Sequence, residues 1–282
     1  MIENSIDIES RSNYWKSIYF EKNRDDFWYH LAGADKDISQ TNYNLANSSI
    51  LYYFYRFSLE KEMLKYLVGR FCKEHIMALD MGGGTGRNAL TLSEFFKKVI
   101  SFDLVDSFVE ENKRRYKAVK NISFFQLSID NLDKLPKDNY DLIFLGGVFM
   151  CLGDDEVKSA LNKIQSLLKR DGILIVRDSI SSMVTSFYDR VKIYRSEETY
   201  ESLFIASRFS MVGKYNSANR NLWCSLFNHL PRIVQNRKII LQVFEFFIFL
   251  TIKVDSRLIR RQPFIRHSLS NQLFYVFKKY ED

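Results

Sequence analysis

The stretch Ala78-Leu-Asp-Met-Gly-Gly-Gly-Thr-Gly-Arg87 decides the fold of this chain. Before it, His75-Ile-Met-Ala-Leu-Asp80 reads as a short buried strand, and after it Arg87 to Phe96 has the apolar spacing of a helix. A glycine-rich turn between a strand and a helix is where a nucleotide phosphate or nucleoside is cradled. Gly82, Gly84 and Gly86 let the backbone turn tightly and approach a ligand that a Cβ would keep away. Asp103 closes the next predicted strand about twenty residues on, where a carboxylate can accept both hydroxyls of a ribose.

The spacing leaves two kinds of cofactor open. A dinucleotide fingerprint is G-x-G-x-x-G. Counted from Gly82, its third glycine falls on Arg87; counted from Gly84, it falls on Ala89, a tolerated variant. The loop alone therefore does not exclude NAD. Asp80, two residues before the first glycine, makes the motif D-x-G-x-G-x-G and tips the balance away from a dinucleotide.

Outward from the loop, strands alternate with helices. Strands are predicted at 98–103, 122–126, 140–145 and 172–178, with helices at 107–118 and 154–168. Asp154 and Asp155 at the start of the last helix favour its positive end, and Leu161, Ile164, Leu167 and Leu168 mark its apolar side. This alternation predicts a parallel sheet of β-α-β units. A helix over 197–208 and strands at 210–215 and 272–279 complete the pattern, and 57–72 reads as a helix before it.

The chain has 282 residues, 46% apolar and 27% charged, which suits one large domain or a domain with an extra lobe and excludes disorder. Its net charge of +7 is uneven: residues 1–213 carry −1 and residues 214–282 carry +8. Three separated cysteines, with no C-x-x-C, argue against a disulfide framework or a cysteine zinc site. Four histidines without an H-x-x-x-H give no zincin motif, so no metal is expected. With a polar, acidic N-terminus unlike a secretory signal, a cytoplasmic location is the expectation.

Asp80–Gly86, Asp103, Tyr140-Asp-Leu-Ile-Phe and Leu168-Lys-Arg-Asp-Gly-Ile-Leu together resemble the class I S-adenosylmethionine-dependent methyltransferases. The resemblance covers roughly residues 75–215 and the closing strand. It implies an α/β, doubly wound, seven-stranded Rossmann-like sheet with its last strand antiparallel. The expected organisation is an N-terminal helical cap (1–74), a cofactor-binding core (75–215), a helical basic and aromatic insertion (216–270) and the final core strand (271–282). By the same resemblance, Gly82 and Gly84 pass beneath the methionine part of S-adenosylmethionine, with Asp80 near its amino group and Gly86 completing the cofactor-binding loop. Asp103 holds the ribose, Leu104, Ile129 and Asp130 border the adenine, and Gly146 and Gly147 offer carbonyls to the cofactor amine.

The acceptor is less legible. The [DN]-P-P-[YF] signature for planar amino nitrogens is missing, since the fourth strand runs into Gly-Gly-Val-Phe. Gly147, Cys151 and Ser179 depart from the Trp, His and Asn that protein N-terminal methyltransferases carry there. Asp178, at the end of the fifth strand, is a candidate base or substrate holder, and Tyr194 and Arg195 are candidate acceptor contacts. The segment around them loosely resembles methyltransferases of bacterial sugar and surface-glycan pathways. It implies O-methylation of a sugar or glycan-linked intermediate in polysaccharide biosynthesis. The alternatives are N-methylation of a small amine or amino sugar, and a non-catalytic cofactor-binding partner in a glycan assembly complex.

Lys238 to Val254 (KIILQVFEFFIFLTIKV) is too short to span a bilayer, since Ile239 to Ile252 makes a helix of ~21 Å against ~30 Å of hydrocarbon. Flanked by arginines, the region 232–266 reads as the core of a lid lobe, as a peripheral membrane element at the inner face, or as a homodimer contact. Its charge alone would also suit nucleic acid, but no RNA-binding motif accompanies it.

Overall fold

The fold is described from a computed structural model. It describes residues 9, 13, 47–137, 139–181, 187–189, 192–217, 223, 226–227, 229–231, 238–259 and 270–280. A long helix α1 (Asn47–Phe71) precedes β1 (Met77–Met81), α2 (Arg87–Ser93), β2 (Lys98–Asp103), α3 (Asp106–Arg115) and β3 (Ile122–Gln126). Then come β4 (Tyr140–Gly146), α4 (Asp154–Leu167), β5 (Leu168–Ser181), the hairpin strands β6 (Phe187–Asp189) and β7 (Lys192–Tyr194), and α5 (Glu197–Ala206). The chain closes with β8 (Phe209–Asn216), α6 (Lys238–Ile259) and β9 (Ser270–Lys279).

Seven strands form one sheet in the order β3-β2-β1-β4-β5-β9-β8. The pairs from β3 to β5 are parallel, while β9 runs antiparallel to both β5 and β8. This is the doubly wound sheet with an antiparallel last strand that the sequence resemblance implies. Strand β4, YDLIFLG, is buried along nearly its whole length because both of its faces are covered. Ala78, Leu142, Phe144, Ile173 and Ile175 face α1, α2 and α6. Leu79, Ile143, Leu145, Leu174 and Val176 face α4 and α5.

Local sequence explains the helix ends. At the start of α4 the Glu156 carboxylate accepts from the Gly153 N–H at 2.7 Å, with Asp154 and Asp155 in the same turn. At the start of α5 the Ser196 hydroxyl accepts from the Thr199 N–H.

Three elements differ from the sequence expectation. Helix α1 begins ten residues before the expected residue 57, and its Tyr55, Leu59, Met63, Leu64, Leu67 and Val68 lie in the core. Strand β5 continues past 178 because the polar Ser179 and Ser181 pair with Gln272 and Ser270 of β9, so ladder pairing overrides their low apolar content. The segment before α5 folds back as the β6–β7 hairpin.

The longest described part of the insertion is α6. Ile248 and Ile252 pack into the same core as Tyr55, Leu59 and Met63 of α1. Trp223 stacks on Phe247 with ring centroids 4.4 Å apart, and Phe227 meets Phe244 edge-on at 5.1 Å. The opposite side of α6 exposes Ile239, Val243, Phe246, Leu250 and Val254, three or four residues apart, beside exposed Lys253 and Arg257. No helix among the described residues is long and apolar enough to cross a membrane. Arg232, Arg237, Arg260, Arg261 and Arg266 of the expected membrane contact lie outside the described residues, as does nearly all of the expected cap before Asn47.

Candidate functional site

The site lies at the C-terminal ends of β1, β2, β4 and β5, where an open α/β sheet takes its ligands. The loop after β1 is fixed from below. The Gly83 N–H donates to the Phe102 carbonyl at 2.9 Å, and the Gly86 N–H donates to the Gly83 carbonyl at 2.9 Å. From α3, the Asn112 amide donates to the Gly84 carbonyl at 2.7 Å, and the Tyr116 hydroxyl donates to the Thr85 carbonyl at 3.1 Å.

Two of the glycines show why the loop is built from them. Gly84 has φ +50°, a left-handed conformation, and a Cβ there would meet nothing within 4 Å. Its side is thus an open cradle above the sheet. Gly83 is the reverse case. A Cβ there would lie 2.1 Å from the Ser101 hydroxyl oxygen and 3.0 Å from Asp80 Oδ2.

Asp80 is fully buried, and its Oδ2 accepts from Ser101 at 3.1 Å. Burial pushes its carboxyl up to about 7, against the Ser101 hydrogen bond, which favours the anion; the nearby Asp103 carboxylate adds to the rise. Asp103 grips the loop from β2. Its Oδ2 accepts from the Gly84 N–H at 2.8 Å and its Oδ1 from the Val105 N–H at 2.9 Å. Burial raises this carboxyl, and the Val105 and Gly84 amides oppose the rise. Each oxygen keeps a lone pair for a ligand hydroxyl.

Just after β2, Leu104 is half-buried and its carbonyl accepts from Gln126. Ile129 and Asp130 open a short helical turn over Ile129–Lys134. The Asp130 carboxylate is exposed and accepts from the Ser128 hydroxyl at 2.9 Å. Gly146 ends β4, and Gly147, with φ +81°, donates its N–H to the Arg177 carbonyl at 2.7 Å.

The three acceptor-side candidates occupy different places. Asp178 is fully buried and points away from the α1 side. Its Oδ2 accepts from the Met150 N–H at 2.9 Å and its Oδ1 from the Ser179 N–H at 2.9 Å, with the Tyr200 hydroxyl at 3.4 Å. Burial pushes this carboxyl up to about 6 against those amides, Arg177 and Arg195. Arg195 is 1% exposed. Its guanidinium binds Asp154 and the carbonyls of Phe149 and Leu152, which pins the turn after β4. This commits Arg195 to a structural clamp instead of the acceptor contact expected from sequence, because its bonds run into the protein. Tyr194 is half-buried on β7, opposite Phe187.

The structure adds a cluster that sequence reasoning did not single out. Glu60 of α1 is 3% exposed. Its Oε1 accepts from Arg56 at 3.1 Å and its Oε2 from Arg87 at 2.9 Å, with Arg177 Nε at 3.9 Å from Oε2. Burial alone would raise Glu60, but Arg177, Arg56 and Arg87 together hold it down at about 2. Arg87, first residue of α2, also stacks over the Phe57 ring at 4.0 Å. Its Nη1 is buried with no hydrogen-bond partner among the described residues. No single motif carries this cluster, because Glu60 and Arg177 are far apart in sequence.

Residues 79–176 match the family model described as a methyltransferase domain. That stretch is about a third of the chain, from Leu79 in β1 to Val176 in β5. S-adenosylmethionine is the cofactor that the sequence resemblance implies for such a domain. The residues present fit that molecule. The open cradle at Gly84, the two carboxylate oxygens of Asp103 and the unpartnered Nη1 of Arg87 suit, in turn, its methionine chain, its ribose and its carboxylate.

Phosphoethanolamine N-methyltransferase 1 of Caenorhabditis elegans is 27% identical over 167 residues, which are 55% of this chain and 34% of that protein. The Bacillus subtilis protein YcgJ, described as an uncharacterized methyltransferase, is 28% identical over 109 residues, 38% of this chain and 42% of that one. Phosphoethanolamine N-methyltransferase 1 of Haemonchus contortus has been solved in complex with phosphoethanolamine and S-adenosylhomocysteine. It aligns with a TM-score of 0.56 at 19% identity, over 100% of this chain and 51% of that chain. A DhpI–SAH complex aligns with a TM-score of 0.56 at 13% identity, over 98% of each chain. At these identities the solved structures show the fold alone. The chain spans about a third of the C. elegans protein.

Proposed function

We propose that this chain transfers a methyl group from S-adenosylmethionine to a small acceptor seated above the ends of β4 and β5, and that the receiving atom is an amine nitrogen. S-adenosylmethionine supplies an electrophilic methyl group when bound. The chain's own residues hold and align. Asp103 is set to orient the ribose, Gly84 to let the methionine chain lie close, and Arg87 to bind its carboxylate. Much of the rate gain in such a displacement comes from alignment.

The observation that carries the nitrogen reading is the state of Asp178. An alcohol acceptor needs a base in the transition state, whereas an amine can lose its proton to water before reacting. Asp178 is sealed from the site: unlike half-buried Asp103 its side chain is fully buried, with the Met150 and Ser179 amides on its oxygens and the Tyr200 hydroxyl beside Oδ2. It therefore positions the turn after β4 and is turned away from an acceptor hydroxyl. The names of the phosphoethanolamine N-methyltransferase relatives support the same choice over O-methylation of a sugar or glycan.

Calorimetry with S-adenosylmethionine, on the wild type and Asp103→Ala, tests the enzyme reading; no binding by the wild type would sink it. Release of S-adenosylhomocysteine with ethanolamine, phosphoethanolamine, amino sugars and sugar nucleotides tests the acceptor. Turnover with hydroxyl acceptors but none with amines would sink the nitrogen reading.

The exposed apolar stripe of α6, beside Lys253 and Arg257, supports a further part of this reading: peripheral contact with an anionic membrane on its cytoplasmic side.

A further inference from the structure

We propose that Arg177 is the recognition group for an oxyanion, a phosphate or carboxylate, carried by the acceptor; this rests on the methyltransferase reading above. Arg177 sits on β5 beside Gly146 of β4, in register with it. Its guanidinium lies along the mouth of the site. A Cβ on Gly146 would lie 3.4 Å from Nη2, and one on Gly147 would lie 3.7 Å from Nη1. The Gly146 side is filled, since a Cβ there would also lie 3.0 Å from Phe144 and 3.2 Å from Asn88, whereas a Cβ on Gly147 would meet nothing nearer than 3.7 Å, so the approach to the guanidinium is over Gly147.

The side chain of Arg177 is 11% exposed, yet its one ion contact is the 3.9 Å approach to Glu60, too long for a hydrogen bond. Its guanidinium makes no hydrogen bond to another described residue. A guanidinium so little exposed normally has its donors bonded, and here none of its nitrogens is sealed from solvent, so the donors stay reachable for a ligand. Glu60 cannot serve it better, since its two oxygens are taken by Arg56 and Arg87.

The local charge points the same way. Among the described residues Glu60 bonds Arg56 and Arg87 and leaves Arg177 without an acid in hydrogen-bond reach, in a largely buried place. Arg87 is set to take the methionine carboxylate. The planar fork of Arg177 matches a second oxyanion. Its place over Gly146 and Gly147, at the β4–β5 end, is on the acceptor side of the sheet and away from Asp103. A neutral amine would leave this charge unmatched, and an anionic amine would satisfy it.

The test uses the full chain saturated with S-adenosylhomocysteine. Phosphoethanolamine, glycine and ethanolamine are titrated by calorimetry into the wild type, Arg177→Gln and Arg177→Lys. The expected result is that phosphoethanolamine or glycine binds at least about 10-fold more tightly than ethanolamine, and that Arg177→Gln removes about 10–100-fold of that affinity. Arg177→Lys should recover part of it, while all three proteins bind S-adenosylhomocysteine within about 2-fold of one another. That last comparison also shows that the variants fold. The proposal is overturned if the three amines bind alike or none binds. It is also overturned if Arg177→Gln weakens S-adenosylhomocysteine as much as the amine, since the guanidinium would then serve the cofactor. Failure of the wild type to bind S-adenosylhomocysteine would overturn the methyltransferase reading itself, and the proposal with it.

Discussion

Asp80 should make the ligand-free protein less stable as pH rises. Its carboxyl is pushed from the usual 3.8 to about 7, so the folded chain holds a proton that the unfolded chain has already lost. For a group raised in this way, the stability it contributes is complete below about pH 4 and is lost as pH climbs through about 7. The slope is about 1.4 kcal/mol per pH unit, or about 4 kcal/mol over the whole range. Asp178, raised to about 6, adds a loss of the same sign over a lower window. Glu60, held at about 2, acts oppositely, and its contribution is lost only in strong acid. Asp80→Asn isolates the effect, because the amide keeps the shape, can accept from Ser101 and does not titrate. Urea denaturation at about pH 5.5 and 8.5 is the assay. Between those values the wild type should lose about 2 kcal/mol more than Asp80→Asn. Ser101→Ala should move the loss to higher pH, since it removes the hydrogen bond that favours the anion. Parallel pH profiles for the wild type and Asp80→Asn would refute the reasoning, since the buried acid would then have an ordinary titration.

Gly83→Ala should destabilise by about 1–3 kcal/mol through the contact of its Cβ with the Ser101 hydroxyl. In a Ser101→Ala background the same change should cost clearly less, as thermal melts of the four proteins would show; equal costs would place the strain elsewhere. Arg195→Met should lower stability by about 2–4 kcal/mol, because it frees the carbonyls of Phe149 and Leu152 and the Asp154 carboxylate, yet leave S-adenosylhomocysteine affinity within about 2-fold. Loss of turnover without loss of stability would instead put Arg195 on the acceptor. Vesicles containing phosphatidylserine should pellet the wild type in low salt and release it in high salt, and Val243→Ser with Phe246→Ser should abolish pelleting. Absence of salt-sensitive pelleting would remove the membrane contact.

The core elements were legible because each is written locally. The strand Lys98–Asp103 and the strand Ile122–Gln126 fall where their apolar runs predict. Elements shaped by distant partners were not. Ser179 and Ser181 read as loop, and only the ladder to β9 makes them strand. The start of α1 lacks a clear helical period before Phe57, and a cap cannot be read there without one. On α6, sequence gives an apolar helix but not which side is covered; the packing of α1, Trp223 and Phe227 selects the side with Ile248 and Ile252. The stripe left outside is thus decided by tertiary contact.

The two halves of the site differ in legibility for the same reason. The cofactor half depends on backbone. Glycines at fixed spacing and an acid at the end of the next strand leave a signature in one short stretch, and in the folded chain Asp103 accepts from the Gly84 N–H, which ties the two together. The acceptor half depends on side chains from α1, α2 and β5 that meet only when folded. Glu60 joins them, bonding Arg56 and Arg87 and leaving Arg177 without a hydrogen-bonded acid. A carboxylate at the end of β5 is the residue that sequence selects as a base, and Asp178 is that residue. Its neighbour Arg177 is the one that faces Glu60 and the mouth of the site, because side chains alternate across a strand. A shift of one position along β5 thus separates an expected base from a group suited to bind an anion. It also explains why the overall excess of +7 misleads about chemistry. The charge proposed to bear on the acceptor is Arg177 beside Glu60, within residues 1–213, whose net charge is −1.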